Sequence, residues 1–325
     1  MPRVRVVVTG GAGFIGSTLV DLLVAQGDEV IVVDHLARGH ISNLRQAVGD
    51  GVEVIAADVA NMQRMTAALG RVRPEVVYHL AAQIDVRSSV ADPSTDAHVN
   101  VGGTAAVLEA ARAVGVRRVV LASTAAVYGD PVLIPTPEHA EIVPLSPYGA
   151  SKAAAETYMS MFARLHGLST ICLRMSNVYG PRQDPHGEAG VIAIFCAASV
   201  KGDTVTMFGD GTQTRDYVYV GDVVRAFAAA GASDVEGTVN ISTGRETPLL
   251  NLVRALDLDT RTAPARAGET QRSCLDPGLA AKRLGWDAEV PFAEGLGMTL
   301  EHLKAATKGQ DHLAVHARRR RPHLQ

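Results

Sequence analysis

A tyrosine four residues before a lysine, Tyr148 and Lys152 in the run SPYGASK, is a pair that can move a proton. On a helix, residues i and i+4 share a face, and an ammonium beside a phenol favours its ionisation, which makes a weak acid a usable base. Ser146 followed by Pro147 predicts a helix start there, because the serine oxygen caps free N–H groups and proline at the first position gives up no hydrogen bond. Taken alone, Tyr-x-x-x-Lys also fits an ordinary half-exposed helix surface, so the surroundings must decide.

A second constellation suits a phosphate. TGGAGFIG at 9–16 follows a β-rich run at 4–8 and precedes an apolar helix expected from near Ser17. Gly10 allows a tight turn, Gly13 lets backbone approach a pyrophosphate, and Gly16 permits close helix packing. The helix N-terminus, with Phe14 and Ile15, offers N–H groups and a positive dipole to the phosphates. The next strand-like run, 29–33, ends in Asp34, roughly 20 residues past the glycines, where a carboxylate grips a ribose diol. A 2'-phosphate would meet that charge, so NAD is expected over NADP; Arg38 nearby keeps NADP in view, and a strand-end cap is the plain alternative for Asp34. Asp58 could accept from the adenine amino group or cap its own loop. Leu80, Ala81 and Ala82 after His79 let the chain lie flat against a cofactor or against a helix. Contact is preferred, since ligands bind at the carboxyl ends of strands in such folds.

The elements that must position these groups alternate. Strand-like runs at 4–8, 29–33, 76–80, 118–122 and 170–173 are interleaved with helical patterns at 17–25, 62–69, 104–113 and 147–166, the last closed by Gly167. This predicts an α/β, doubly wound parallel sheet of Rossmann type over residues 1–173, with a segment near 216–242 returning to it. From about Met175 the composition shifts to Gly-, Pro- and Asp-rich loops, expected to form a smaller α/β substrate domain over 174–310. HARRRRPHLQ closes a basic tail, 311–325, expected to be flexible and solvated, with an anion patch as the alternative.

Bulk properties narrow the classes. With 325 residues, 47% hydrophobic, 20% charged and net charge -3, the chain has no general attraction for nucleic acid or acidic membranes. No stretch approaches the roughly 20 apolar residues of a membrane span, and MPRVRVVVTG enters a strand directly, so a cytoplasmic protein is expected. Three dispersed cysteines and eleven dispersed histidines show no metal-ligand spacing.

With TGGAGFIG, Asp34, Asp58, HLAA and YGASK in this order, the chain resembles the extended short-chain dehydrogenase/reductases, in the nucleotide-sugar branch, and its second half looks most like the UDP-glucose 4-epimerases. The resemblance covers roughly residues 3–304. It implies Tyr148 as base, Lys152 beside it and, from LASTAAVYG with Ser123 and Thr124, Thr124 as the hydroxyl partner. Removing a hydride from C4 of a sugar requires its 4-OH to lose a proton, which a tyrosinate can accept. Lys152 and a positive nicotinamide ring would both lower the tyrosine pKa. Related dehydratases carry Asp-Glu after the threonine; here Ala125 and Ala126 stand there, which argues against elimination and for return of the hydride to the other face of a 4-keto sugar. NAD contacts implied are Gly10, Gly13, Phe14, Ile15, Gly16, Asp34, His35, Arg38, Asp58, Val59, Leu80, Ala81, Ala82, Asn100, Tyr148 and Lys152.

On the substrate side the family's contacts fall on Asn177, Arg215, Arg266 and Glu269, with Phe208 beside uracil or in the core. Ser273, Met175 and Ser176 replace larger residues of some members. Ser273 could admit an N-acetyl group, while Met175 and Ser176 with Ala125 and Ala126 leave space that could admit a C6 carboxylate, so UDP-glucuronate is an alternative to UDP-glucose. Arg182 is a nearby cation, offset by Asp184 and Glu188. UDP-N-acetylglucosamine and a non-catalytic NAD sensor are lesser readings. His35 stands where asparagine is common. A homodimer is expected through helices at 93–115 and 147–166, with Tyr158, Met161 and Phe162 in the seam or against the sheet.

Overall fold

The computed structural model describes residues 3–186, 190–265 and 270–319, with 308–319 as helical backbone only. The chain begins β1 (Arg5–Thr9), α1 (Phe14–Ala25), β2 (Glu29–Asp34), α2 (Arg45–Gly49), β3 (Glu53–Ala56), α3 (Met62–Val72) and β4 (Val76–His79). Two short helices, α4 (Val86–Ala91) and α5 (Pro93–Ala97), lead through a π turn at His98–Gly102 into α6 (Gly103–Val114), β5 (Arg118–Thr124), α7 (Pro147–His166) and β6 (Ser169–Met175). Then come β7 (Asn177–Tyr179), α8 (Val191–Lys201), β8 (Val205–Phe208), β9 (Thr214–Arg215), β10 (Tyr217–Tyr219), α9 (Val220–Ala232) and β11 (Gly237–Ile241). The remainder is β12 (Thr247–Pro248), α10 (Leu249–Ala255), β13 (Thr260–Ala263), β14 (Arg272–Ser273), α11 (Gly278–Leu284) and α12 (Phe292–Arg319).

Seven strands pair in parallel in the order β11-β6-β5-β4-β1-β2-β3. Valine-rich strands fit this setting because both faces are covered. Alternation divides each strand: Val6, Val8, Val32, Val76 and Val120 pack under α1 and α9, while Val7, Val33, Val77, Val119 and Leu121 pack under α3, α6 and α7. Each such side chain, fully buried, contributes about 1.5–3 kcal/mol. A third core gathers Phe195, Val205, Met207, Leu252 and Leu296 from α8, β8, α10 and α12.

The order reverses between β1 and β4, where ligands bind in open α/β sheets. Register brings Thr9 beside His79 and Thr124 beside Met175 at one edge. The chain departs from the sequence expectation at three places. The first helix starts at Phe14, because Gly13 already serves as its extended cap. The helical stretch after Pro93 is interrupted by the π turn. The last helix continues to Arg319, into the segment read as a tail.

Candidate active site

At the switch point the chain turns through Gly10 with φ of 70°, and a Cβ there would sit 2.7 Å from the Ala81 nitrogen. Gly16 is tighter: its Cβ would stand 2.2 Å from the Gly10 oxygen, so α1 rests on the loop itself. Gly13 caps α1 without a side-chain hydrogen bond, which leaves the first turn, with Phe14 and Ile15, to a ligand. Asp34 is buried; Oδ2 accepts from Ala12 N at 3.0 Å and Oδ1 from Leu36 N at 2.8 Å. Each oxygen keeps lone pairs for a ribose diol. This cradle of glycine backbone with a fixed carboxylate fits a dinucleotide, and these residues would hold it.

The neighbouring strand end is wired to the same loop. Ala81 N–H donates to Thr9 Oγ1 at 3.3 Å, and Thr9 Oγ1 and His79 Nδ1 lie 2.8 Å apart. His79 Nε2 lies 3.1 Å from Thr104 Oγ1, which donates to the Asn100 carbonyl at 2.6 Å. The chain of donors is satisfied if His79 is neutral with its proton on Nε2. Burial, aided by the Lys152 charge, pushes His79 down to about 3, in keeping with that neutral form. Leu80, Ala81 and Ala82 are half-buried beside Gly10, as contact with a flat ligand requires.

Gly16→Ala is expected to abolish retained NAD, assayed as nucleotide released from denatured protein, and to cost about 1–3 kcal/mol through overpacking. Gly297→Ala, whose Cβ meets nothing within 4 Å, is the control and is expected to retain NAD in full.

Helix α7 forms as its sequence implies. Ser146 Oγ accepts from Gly149 N at 3.1 Å, Pro147 occupies the first turn, and Gly167 closes the helix at φ of 65°. Gly149 has a specific reason: a Cβ there would lie 2.5 Å from the Ala126 oxygen. Its absence lets α7 lean on the turn at Ala125–Val127, with the Thr124 side chain set toward the Tyr148 phenol. Thr124 Oγ1 accepts from Ala126 N at 3.1 Å. Burial pushes Tyr148 up to about 12, the Thr124 bond pulls it back, and the Asp96 charge adds to the rise. Burial pushes Lys152 down to about 8, opposed by the charges of Asp96 and Glu156.

Lys152 Nζ donates to the Ala122 carbonyl at 3.0 Å. Tyr148 and Lys152 share a helical face, but that face packs on β5, whose backbone takes up the ammonium. The chain alone therefore keeps the phenol protonated.

Behind the pair lies a buried polar network that sequence reading missed. Glu156 receives Ser123 Oγ at 2.5 Å and an Arg174 fork at 2.6 and 2.9 Å. Arg174 also donates to the Tyr128 hydroxyl at 2.8 Å. Ser123 is thereby occupied, and of the two hydroxyls ending β5, Thr124 is the one that meets Tyr148. Glu156 had a legible signal, one turn beyond Lys152 on the same face; its partner on β6 had none.

The substrate-side candidates divide. Asn177, Arg215 and Ser273 stand on β7, β9 and β14, joined through buried Asp216. Asp216 N donates to the Ser273 carbonyl at 2.9 Å, its carbonyl accepts from Asn177 N at 2.9 Å, and its carboxylate receives Thr243 N and Gly244 N, both at 3.0 Å. Phe208 lines a cavity of about 300 Å³ with Gln213 and Gln271. Met175 lies beside Thr124, and Ser176 is buried with a hydroxyl that has no partner among the described residues. Arg266, Glu269 and Glu188 lie outside the described residues.

Other expected contact residues have partners within the chain. Arg182 is not brought to this group: its guanidinium pairs with Asp21 of α1 at 2.6 Å. Arg38 is 3.9 Å from Asp85, and the exposed His35 ring is 3.8 Å from Asp34 Oδ1. Exposed Asp58 accepts from Ala60 N at 2.9 Å beside buried Val59. The Asn100 amide is taken up by Gln83, Asp96 and Ser151. Phe162 packs toward the sheet, and Tyr158 is exposed. Among the described residues no helix is long and apolar enough to cross a membrane, and no group of three or more His, Cys, Asp or Glu is placed to hold a metal.

A Rossmann sheet with a dinucleotide cradle at its switch point, and a Thr-Tyr-Lys group beside it, defines an extended short-chain dehydrogenase/reductase. The chain belongs to the NAD dependent epimerase/dehydratase family, which matches residues 6–242. It is 46% identical to a UDP-glucose 4-epimerase of Mycolicibacterium smegmatis over 309 residues, 92% of this chain and 98% of the other. Among solved structures it is similar to the UDP-glucose 4-epimerase of Thermotoga maritima with UDP-glucose, at 41% identity and TM-score 0.90, covering 93% of this chain and 99% of that one. The Thermus thermophilus UDP-glucose 4-epimerase in complex with NAD is 44% identical with TM-score 0.86, over the same shares.

Proposed function

We propose that the protein is an NAD-dependent UDP-glucose 4-epimerase, interconverting UDP-glucose and UDP-galactose. The observation that carries this is Thr124 at the end of β5, set toward Tyr148 and followed directly by Ala125 and Ala126. Bound NAD would supply the hydride acceptor and donor, and its positive ring would favour the phenolate. Tyr148 Oη takes the proton of the sugar 4-OH and returns it after the 4-keto sugar has turned over, with Thr124 holding the hydroxyl in line. Neither alanine can protonate a C6 hydroxyl or take a C5 proton, so elimination lacks its acid and base. Asn177 and Arg215 hold the diphosphate, Arg215 by a fork suited to phosphate. A firmly held nucleotide and a loosely held hexose let the sugar turn.

The test is incubation of purified protein with UDP-glucose, UDP-glucuronate and UDP-N-acetylglucosamine separately, without reductant, with products resolved by NMR. Conversion of UDP-glucose to its C4 epimer is expected. Turnover of the uronate in preference would move the reading to the acid sugar, for which the Ser176 hydroxyl, without a partner among the described residues, offers a C6 contact. Activity on UDP-glucose is expected to fall as pH rises through about 8, where Lys152 loses the proton that holds its charge beside the site.

The reading includes a homodimer through the helical segments 93–115 and 147–166, supported by exposed Tyr158 and Leu165 on α7. Light scattering after gel filtration is expected to give twice the monomer mass, and a monomer would remove this part.

A further inference from the structure

We infer that Asp96 is a positioning residue of this site, its carboxylate the buried anion against which Tyr148 and Lys152 are set. It is 1% exposed on α5, which packs on α7. Oδ1 accepts from Gln83 Nε2 at 3.0 Å and Asn100 Nδ2 at 3.2 Å, while Oδ2 has no hydrogen-bond partner among the described residues. One carboxylate oxygen thus lies without a donor in a region of low dielectric, where the field of a charge reaches furthest. The hold extends into the helix: Asn100 Nδ2 also reaches Ser151 Oγ at 3.0 Å, and Ser151 donates to the Tyr148 carbonyl at 3.0 Å.

The other groups facing the pair do not replace it. Lys152 is faced by Glu156 from its own helix, Cys172 from β6 and His79 from β4; Tyr148 is faced by Thr124 from β5. Glu156 is already neutralised by Arg174, Cys172 is a thiol pushed up by burial, and His79 is neutral. Asp96 favours ammonium over amine at Lys152 and phenol over phenolate at Tyr148. It keeps the lysine charged despite burial and holds the tyrosine proton until positive charge arrives.

The inference rests on the proposed function for one of its two readouts. Asp96→Asn keeps the shape and the acceptor while deleting the charge. In the NAD-loaded enzyme, the Tyr148 titration, read by carbon-13 NMR of labelled tyrosine and assigned by its absence in Tyr148→Phe, is expected to move down by about one pH unit. Both limbs of the kcat/KM profile on UDP-glucose are expected to move to lower pH together, since loss of an anion stabilises phenolate and destabilises ammonium. Asp96→Glu is expected to bring the limbs back toward the wild type. Unmoved limbs and an unmoved titration, with or without loss of amplitude, would overturn the inference. If the wild type turned over no UDP-glucose, the functional reading would fail while the NMR titration still decided the role of Asp96. Should Asp96→Asn not fold, Asp96→Ser carries the same expectations.

Discussion

Tyr148→Phe is expected to lower kcat on UDP-glucose by about a thousandfold, within the range that a positioned proton-transfer group supplies. The reason is local. The ring stays and fills the same space, so only the hydroxyl, with the hydrogen bonding it can do toward Thr124, is lost. The net stability of one such bond is about 1 kcal/mol, too little to unfold the chain. Retained NAD and the thermal midpoint are therefore expected to stay close to wild type, and KM to change little. Thr124→Val should act in the same direction by a smaller factor, because it removes the partner and leaves the base. Full activity in Tyr148→Phe would end the assignment of Tyr148 as base.

Glu156→Ala is expected to destabilise the protein by about 3–5 kcal/mol, measured by urea unfolding, since removing one partner of a buried ion pair strands the other. Arg174 and Lys152 are each 4% exposed and would face one another's charge without the anion between them. Ser123 would also lose its acceptor. Glu156→Gln, which keeps the shape and one acceptor, is expected to cost less. A cost below about 1 kcal/mol for the alanine variant would mean that water solvates the pair as it does at a surface.

Much of this molecule is legible before folding, for identifiable reasons. Glycines at 10 and 16 can be read because no other residue fits: the would-be Cβ contacts of 2.7 Å at Gly10 and 2.2 Å at Gly16 are backbone contacts that no rotamer relieves. The bounds of α7 can be read because its cap, proline and closing glycine are adjacent in sequence. Tyr148 and Lys152 share a face by helical spacing alone. The alternation of valines across the sheet is likewise a local pattern, and it assigns strands and class together.

The rest depends on elements distant in sequence. That Arg182 pairs with Asp21 rather than facing the Thr124 group is decided by packing across 161 residues. That Ser123 goes to Glu156 and leaves Thr124 to the tyrosine follows from which way β5 turns each side chain, toward or past α7. Lys152 pointing to a backbone carbonyl, and one Asp96 oxygen buried without a hydrogen-bond partner among the described residues, are consequences of burial, which no spacing encodes. Sequence by itself determined the sheet, the glycine cradle and the residue types that can do the chemistry, because each of these is set by short-range sterics and periodicity. Only the tertiary structure decided which charges are buried together, and so how tightly each proton is held, because desolvation and Coulomb energy depend on distances that folding alone creates.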